Sequence, residues 1–305
     1  MINYKSFRLW RTYLGTEYRT YDVKKISTRI EPVKMSFTSY ESASDSNQDS
    51  PLIIMHGLFG SKSNWNSLSK SLHNLTNRKV ISVDARNHGD SPHSEKHTYA
   101  HMVEDIKLLM DDLGLKKASM IGHSMGGRTM MYFAIIYPDL VESLIPVDIS
   151  PINHKIGGEG LSSIRNIINA LSKIDTNLNM PISKARLLID DQLSSSIESP
   201  VLRQFLLVNL IQVNNHYTWR VNLNAIDSNF DNDISVFPEV NSTYNGPTFF
   251  IGGGLSKFLI HENHDAIRKI FPNAKFEYIS DAGHWLHAEK PNEFLKLVTE
   301  FLATH

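Results

Sequence analysis

Short apolar runs alternate with longer amphipathic stretches along most of the chain. The runs Leu52–Met55, Val80–Val83 and Ala118–Ile121 are too short for helices and are predominantly apolar, as strands buried on both faces are. Asn64–Thr76 and Thr98–Leu113 repeat apolar residues at helical spacing between those runs. This alternation predicts a mostly parallel sheet with helices on both of its faces.

One long segment departs from the alternation. Residues 153–240 contain amphipathic helical stretches at Ile164–Ile174, Lys184–Leu193 and Val201–Val213, and no convincing strand. Strand and helix patterns resume at Thr248 and continue to the end of the chain. We interpret the segment as a helical cap inserted after the sixth strand, above the C-terminal edge of the sheet, where α/β sheets place their sites.

The pentapeptide GHSMG at 122–126 joins a predicted strand to a predicted helix. An apolar run precedes it, and a stretch with few helix breakers follows it until Pro138. In this context the G-x-S-x-G pattern predicts a sharp turn that exposes the Ser124 hydroxyl as a nucleophile. Gly122 and Gly126 flank the serine because larger side chains would clash as strand and helix close on each other. The alternative is a serine that only caps the helix.

A serine hydroxyl is a poor nucleophile unless a base takes its proton. Among the 14 histidines, His284 is the best candidate, because it follows the last predicted strand in the segment DAGHWLHAEKP. The order serine, acid, histidine is the one this architecture uses. A metal site at His287 and Asp281 is disfavoured, because no third ligand has metal-like spacing. His123 is expected to point away from the nucleophile, and a solvated loop residue is the alternative for His284.

The base needs a carboxylate to hold its tautomer. The loop at 252–257, after the strand that follows the cap, reads GGGLSK and contains no acid. Glu262 and Asp265 come later, at or in a predicted helix. Asp148 directly follows the apolar run Leu144–Val147, at a strand end where a triad partner belongs. We therefore predict Asp148 as the acid, with a helix cap or a surface ion pair as the alternative.

A tetrahedral intermediate needs two backbone N–H donors for its negatively charged oxygen. Met125, the residue after the nucleophile, is the first predicted donor. The second should come from the loop HGLFG at 56–60, with Leu58 as the first choice and Phe59 as the second. Glycines in this loop let the backbone approach a substrate closely.

Several motifs together resemble a known family. They are HGLFG, DARNHGDSPHS, GHSMGG, VDISP and GHWLHAEKP, with RQFLLVNL and WRVNLNAI in the cap. The chain is similar over roughly residues 33–303 to the α/β-hydrolase superfamily and, more closely, to the abhydrolase domain-containing protein 11 family. The resemblance implies an α/β-hydrolase fold and serine-dependent hydrolysis of acyl esters and lipids without a cofactor. Family members place the triad acid at the aspartate of VDISP, and the motifs match Ser124, Asp148 and His284 without departure.

The expected activity is that of a carboxylesterase or lipase that forms an acyl-enzyme on Ser124. Mono- or diacylglycerols and acyl thioesters are the expected substrate classes. An acyltransferase that passes the acyl group to an alcohol is the alternative, because the same triad serves both reactions. A non-catalytic ligand-binding hydrolase fold is a further alternative from another class. It is disfavoured, because such proteins usually lose a triad member and none is missing here.

The cap is expected to select the acyl chain. The stretch between 184 and 213 is rich in Leu, Ile and Val, including Leu206, Leu207 and Leu210. Because ligand sites are mostly apolar, we predict that one apolar face of this stretch lines an acyl pocket. The alternative is that all of these side chains only pack the cap.

Composition restricts the partners. With 31 basic and 32 acidic residues the net charge is −1, so no nucleic-acid footprint is present. The absence of cysteine excludes thiol catalysis, thiolate metal sites and a disulfide scaffold. No apolar run reaches the length of a membrane span. We expect a small acyl ester or lipid as the partner and neither a metal nor a cofactor.

The first 32 residues form an N-terminal segment before a hydrolase domain at 33–305. Residues 1–14 carry three basic side chains and no acid, and Phe7, Trp10 and Leu14 fall on one helical face. These features are typical of a mitochondrial presequence. A disordered or loosely docked tail on a cytoplasmic protein is the alternative.

Overall fold

The computed structural model describes residues 30–42, 50–153 and 159–305. The predicted presequence and most of the polar loop at 41–50 therefore lie outside the described residues, and mitochondrial targeting stays a prediction. Within the described residues, no helix is both long and apolar enough to cross a membrane.

Nine strands and ten α-helices make up the described part of the chain. The strands are β1 Phe37–Tyr40, β2 Leu52–Met55, β3 Val80–Val83, β4 Ala118–His123, β5 Val141–Val147, β6 Leu210–Val213, β7 His216–Trp219, β8 Thr248–Gly253 and β9 Ala274–Ile279. The helices are α1 Asn66–Thr76, α2 Tyr99–Asp112, α3 Met125–Ile136, α4 Glu159–Ser172, α5 Ile182–Ser194, α6 Pro200–Leu207, α7 Leu223–Asn229, α8 His264–Arg268, α9 Leu286–Glu289 and α10 Pro291–Leu302.

Seven strands form one sheet in the order β1-β3-β2-β4-β5-β8-β9. Only β1 is antiparallel to its neighbour, and all the other pairs are parallel. This is the α/β-hydrolase fold that the sequence motifs implied. The chain crosses between strands through helices, so the carboxyl ends of β2, β4, β5 and β8 lie at one edge of the sheet, where a site is expected.

Both faces of the sheet are covered, as the short apolar runs predicted. Along β2, Leu52 and Ile54 pack with Trp65 and the helices α1 and α10. The alternate residues Ile53 and Met55 pack on the opposite face with α2 and α3. All four β2 side chains are fully buried. Because successive side chains of a strand point to opposite faces of the sheet, the four residues of β2 belong alternately to two hydrophobic cores.

The cap differs from its prediction in two respects. It follows the fifth strand of the described chain, whereas the prediction placed it after the sixth. It is also not entirely helical, because the stretch predicted as one helix over Val201–Val213 ends at Leu207 and continues as an antiparallel hairpin of β6 and β7. The turn residues Asn214 and Asn215 both have positive φ, as a two-residue hairpin turn requires. That asparagine pair was the sequence signal for the hairpin.

Candidate active site

The predicted nucleophile lies on a strained turn between β4 and α3. Ser124 has φ 53° and ψ −117°, and its N–H donates to the Val147 carbonyl of the neighbouring strand at 3.0 Å. A Cβ at Gly122 would lie 2.3 Å from the Gly126 carbonyl oxygen, and one at Gly126 would lie 2.5 Å from the Met55 carbonyl oxygen. No side chain fits at either glycine, so this close approach of strand and helix explains both flanking residues.

His284 and Asp148 meet at the same edge of the sheet. Asp148 follows β5 with φ 47°, and its side chain is completely buried. His284 Nδ1 donates to Asp148 Oδ2 at 2.6 Å across 136 residues of sequence. Because Nδ1 carries the proton, the Nε2 atom of a neutral His284 has a free lone pair with which it can accept a proton. Ser124 and His284 both line one pocket.

The loop after β8 contains no carboxylate of its own, but it binds the Asp148 side chain. The Gly253 N–H donates to Asp148 Oδ1 at 3.0 Å, and the Ser256 hydroxyl donates to Asp148 Oδ2. Three donors, one of them from His284, therefore surround the buried carboxylate and fix its orientation. Sequence reasoning searched this loop only for a carboxylate and missed Ser256. A polar side chain in an otherwise glycine-rich loop was the available signal.

The loop between β2 and α1 lies next to the nucleophile. A Cβ at Gly57 would lie 3.1 Å from the Ser124 Cβ, so the backbone here approaches the serine as closely as a glycine allows. Phe59, the second choice for an oxyanion donor, is excluded because its N–H already donates to His88 Nε2 at 3.1 Å. The Leu58 N–H has no acceptor among the described residues. Met125 begins α3, where backbone N–H groups have no partner within the helix.

The pocket above Ser124 has a volume of about 330 Å³. The cap covers it with side chains from α4 and α6, and Phe258 and Trp285 complete the apolar part. The cap residues that line the pocket are Ser163, Ile164, Ile167, Leu202 and Phe205. The predicted apolar face of the cap is thus present, but Leu206, Leu207 and Leu210 are not on it. Leu206 and Leu207 of α6 and Leu210 of β6 are buried in the core instead.

Two further histidines lie close to His284. His123 does not point away from the site as expected. Its ring centroid lies 4.6 Å from those of both His284 and His287, and its Nε2 donates to the His284 carbonyl at 2.8 Å. His287 stacks on Trp65 with ring centroids 4.4 Å apart. No group of three or more potential metal ligands occurs among the described residues.

Burial keeps these histidines neutral. Desolvation, followed by the neighbouring His284, lowers the pKa of His287 to about 3. Desolvation likewise lowers the pKa of His123 well below its usual range. The Nδ1 atom of His287 has no hydrogen-bond partner within the described residues, so nothing there compensates a charge on this ring.

This neutrality makes the fold sensitive to acid. An unfolded histidine binds a proton below about pH 6.5, whereas folded His287 does not until about pH 3. The unfolded state therefore binds more protons in this window, and the free energy of unfolding falls as the pH falls. Between about pH 8 and about pH 5 we expect His287 to account for a loss of about 2 kcal/mol. His287→Phe, which keeps a ring on Trp65, should lose about 2 kcal/mol less than wild type in urea titrations. Equal losses in both proteins would contradict this assignment.

Comparison with known proteins agrees with this architecture. The family profile of the alpha/beta hydrolase fold matches residues 50–159. The sn-1-specific diacylglycerol lipase ABHD11 of Mus musculus is 44% identical over 252 residues, which cover 83% of this chain and 80% of the mouse protein. The ABHD11 lipase of Xenopus laevis is 40% identical over 99% of both chains.

The chain belongs to the ABHD11 family of α/β-hydrolases. Among solved structures, an esterase from a marine microorganism superposes with a TM-score of 0.80 at 34% identity, over 88% of this chain and 99% of the esterase. The similarity spans both the sheet and the cap. Membership therefore applies to the whole described domain and not only to the segment around the serine.

Proposed function

We propose that this carboxylic-ester hydrolase cleaves a fatty acyl ester of a glycerolipid, with diacylglycerol as the leading substrate, through an acyl-enzyme on Ser124. The observation that carries the proposal is that one pocket is lined both by polar, potentially reactive side chains and by apolar side chains of the cap. Ser124 and His284 lie on one side of it, and apolar cap side chains lie on the other. An acyl chain fits the apolar wall while its ester carbonyl meets the serine. The ABHD11 relatives of Mus musculus and Xenopus laevis are named as sn-1-specific diacylglycerol lipases, which supports this choice of substrate.

In the proposed mechanism Ser124 Oγ attacks the ester carbonyl while His284 Nε2 takes the hydroxyl proton. Asp148 stabilises the imidazolium through the bond to Nδ1. The N–H groups of Leu58 and Met125 donate to the oxyanion. When the intermediate collapses, His284 returns the proton to the departing alcohol oxygen. Water then attacks the acyl-enzyme by the same route, which releases the fatty acid and restores the serine.

The substrate proposal is tested by product analysis. Purified protein is given a diacylglycerol with different acyl chains at its two ester positions. The expected products are the sn-1 fatty acid and the 2-monoacylglycerol, with no turnover by Ser124→Ala. Addition of an alcohol tests the acyltransferase alternative, since a transferase would form a new ester instead of free acid. An enzyme that hydrolyses only short water-soluble esters would contradict the glycerolipid proposal.

The cap should set the preferred acyl length. Leu202 lines the pocket, whereas its neighbour Val201 on α6 is 77% exposed and does not. Leu202→Trp fills part of the cavity, so kcat/KM for long-chain esters should fall relative to short ones by about 10- to 200-fold. The same change at the neighbour, Val201→Trp, should leave the ratio near wild type. A flat chain-length profile in Leu202→Trp would show that the cap does not select the chain.

A further inference from the structure

One cap side chain reaches the loop that carries the proposed oxyanion donor. The Asn209 amide nitrogen donates to the Phe59 carbonyl at 2.8 Å, across 150 residues of sequence. Asn209 is only 5% exposed. Its own backbone is fixed at both ends, because its N–H donates to Leu206 in α6 and its carbonyl accepts from Arg220 after β7. The amide is therefore presented from a rigid position.

The turn that receives this bond is strained. The Gly60 N–H donates to the Gly57 carbonyl at 3.0 Å, which closes a turn with Leu58 and Phe59 at its centre. Phe59 has φ 62°, a left-handed region that bulky residues rarely adopt because it is strained. Such a conformation persists only where the surroundings impose it.

Two partners from different parts of the fold impose this conformation. His88 Nε2 accepts the Phe59 N–H, and burial lowers the pKa of His88 well below its usual value, which keeps that lone pair available. Asn209 binds the carbonyl on the other side of the same residue. The peptides before and after Phe59 are thus each held by one side chain, and only one of the two side chains belongs to the cap.

We infer that Asn209 is a positioning residue for the oxyanion hole: through the Phe59 carbonyl it holds the Gly57–Gly60 turn so that the Leu58 N–H faces the reacting carbonyl. This inference rests on the proposed function. The same cap segment contributes Leu202 and Phe205 to the pocket. The residues that contact the acyl chain and the residue that fixes the donor loop therefore belong to one short stretch of chain.

Asn229 provides a matched control. It is also a buried cap asparagine, and its amide donates to the Glu95 carbonyl of the hydrolase domain at 2.9 Å. Within the described residues its amide donates to the carbonyls of Glu95 and Ala225 and not to the Gly57–Gly60 turn. Any effect that comes only from anchoring the cap should appear in Asn229→Ala as well as in the Asn209 variants.

The test measures kcat, KM and the inhibition constant of a trifluoromethyl ketone, whose adduct with Ser124 places an oxyanion in the hole. Asn209→Ala should lower kcat about ten- to a hundredfold with KM near wild type, because a displaced donor acts in the transition state. The ketone should bind more weakly by a similar factor. Asn209→Leu, which keeps the number and branching of the side-chain heavy atoms, should behave in the same way. Asn229→Ala should leave kcat and the inhibition constant near wild type.

Hydrogen exchange tests the inference without reference to the substrate. The peptide amides at 57–60 should exchange about tenfold faster in both Asn209 variants and not in Asn229→Ala. If the Asn209 variants match Asn229→Ala in kcat, inhibition and exchange, the inference is overturned and the residue only anchors the cap. If the wild-type protein turns over no ester, the proposed function fails. In that case the hydrogen-exchange rates of the amides at 57–60 still show whether Asn209 stabilises the turn.

Discussion

Ser124→Ala should lower kcat by about 10⁴-fold or more on every ester that the wild type accepts. The hydroxyl is the proposed nucleophile, and no neighbouring side chain replaces the covalent step. The fold should survive, because the turn is held by the Ser124 N–H bond to Val147 and by the glycines around it, none of which involves the hydroxyl. Steady-state hydrolysis, with circular dichroism for folding, measures both parts.

A fluorophosphonate probe provides the matching control. Wild type and Ser67→Ala, which alters an exposed serine on α1, should both be labelled, whereas Ser124→Ala should not. Turnover near the wild-type rate in a folded, unlabelled Ser124→Ala protein would end the serine-hydrolase mechanism.

Asp148→Asn should lower kcat by up to about 10⁴-fold while the protein remains folded. The reason lies in the donors around the carboxylate. Oδ2 accepts from both His284 Nδ1 and the Ser256 hydroxyl, and Oδ1 accepts from the Gly253 N–H. An asparagine can place its oxygen against Gly253, but its NH₂ then faces two donors. His284 must turn its Nδ1 lone pair toward that NH₂, which places the proton on Nε2 and removes the base.

The two rejected acids are the controls for this variant. The Asp265 side chain is 98% exposed and pairs only loosely with Arg268 at 3.6 Å, and Glu262 is also at the surface. Asp265→Asn and Glu262→Gln should both keep kcat near wild type. If folded Asp148→Asn had a normal kcat and either control lost most of its kcat, the assignment of Asp148 as the acid would be wrong.

Local pattern was enough to predict most of the sheet and the positions of the proposed triad. Short, mostly apolar runs such as Leu52–Met55 identify strands because both faces of this sheet are buried. The turn at Ser124 can be predicted because glycine is required on both sides of it, where packed segments leave no room for a side chain. Asp148 followed from a strand end and from a later loop that contains no acid. In each case the residue and its neighbours in sequence carry the signal, even where, as at Gly126, the contact that requires the residue is with a distant strand.

In the cap, the local sequence pattern was not enough to predict the structure. Val201–Val213 is apolar enough for a helix, but the asparagine pair that follows it adopts positive φ, and Leu210–Val213 becomes the first strand of a hairpin with β7. Which leucines line the pocket also depends on packing. Leu206 and Leu207 face the core, while Leu202 faces the substrate space, and all three have the same chemistry in the sequence.

Only the tertiary structure brought the supporting residues to the site. Ser256 reaches Asp148 across 108 residues, and Asn209 reaches Phe59 across 150. A serine or asparagine in a loop has many available partners, and its chemistry does not indicate which carbonyl or carboxylate the fold will bring near it. The sequence by itself thus determined the fold, the family and the proposed reacting side chains. Packing decided the shape of the pocket and the hydrogen bonds that hold those side chains, because these depend on distances between segments far apart along the chain.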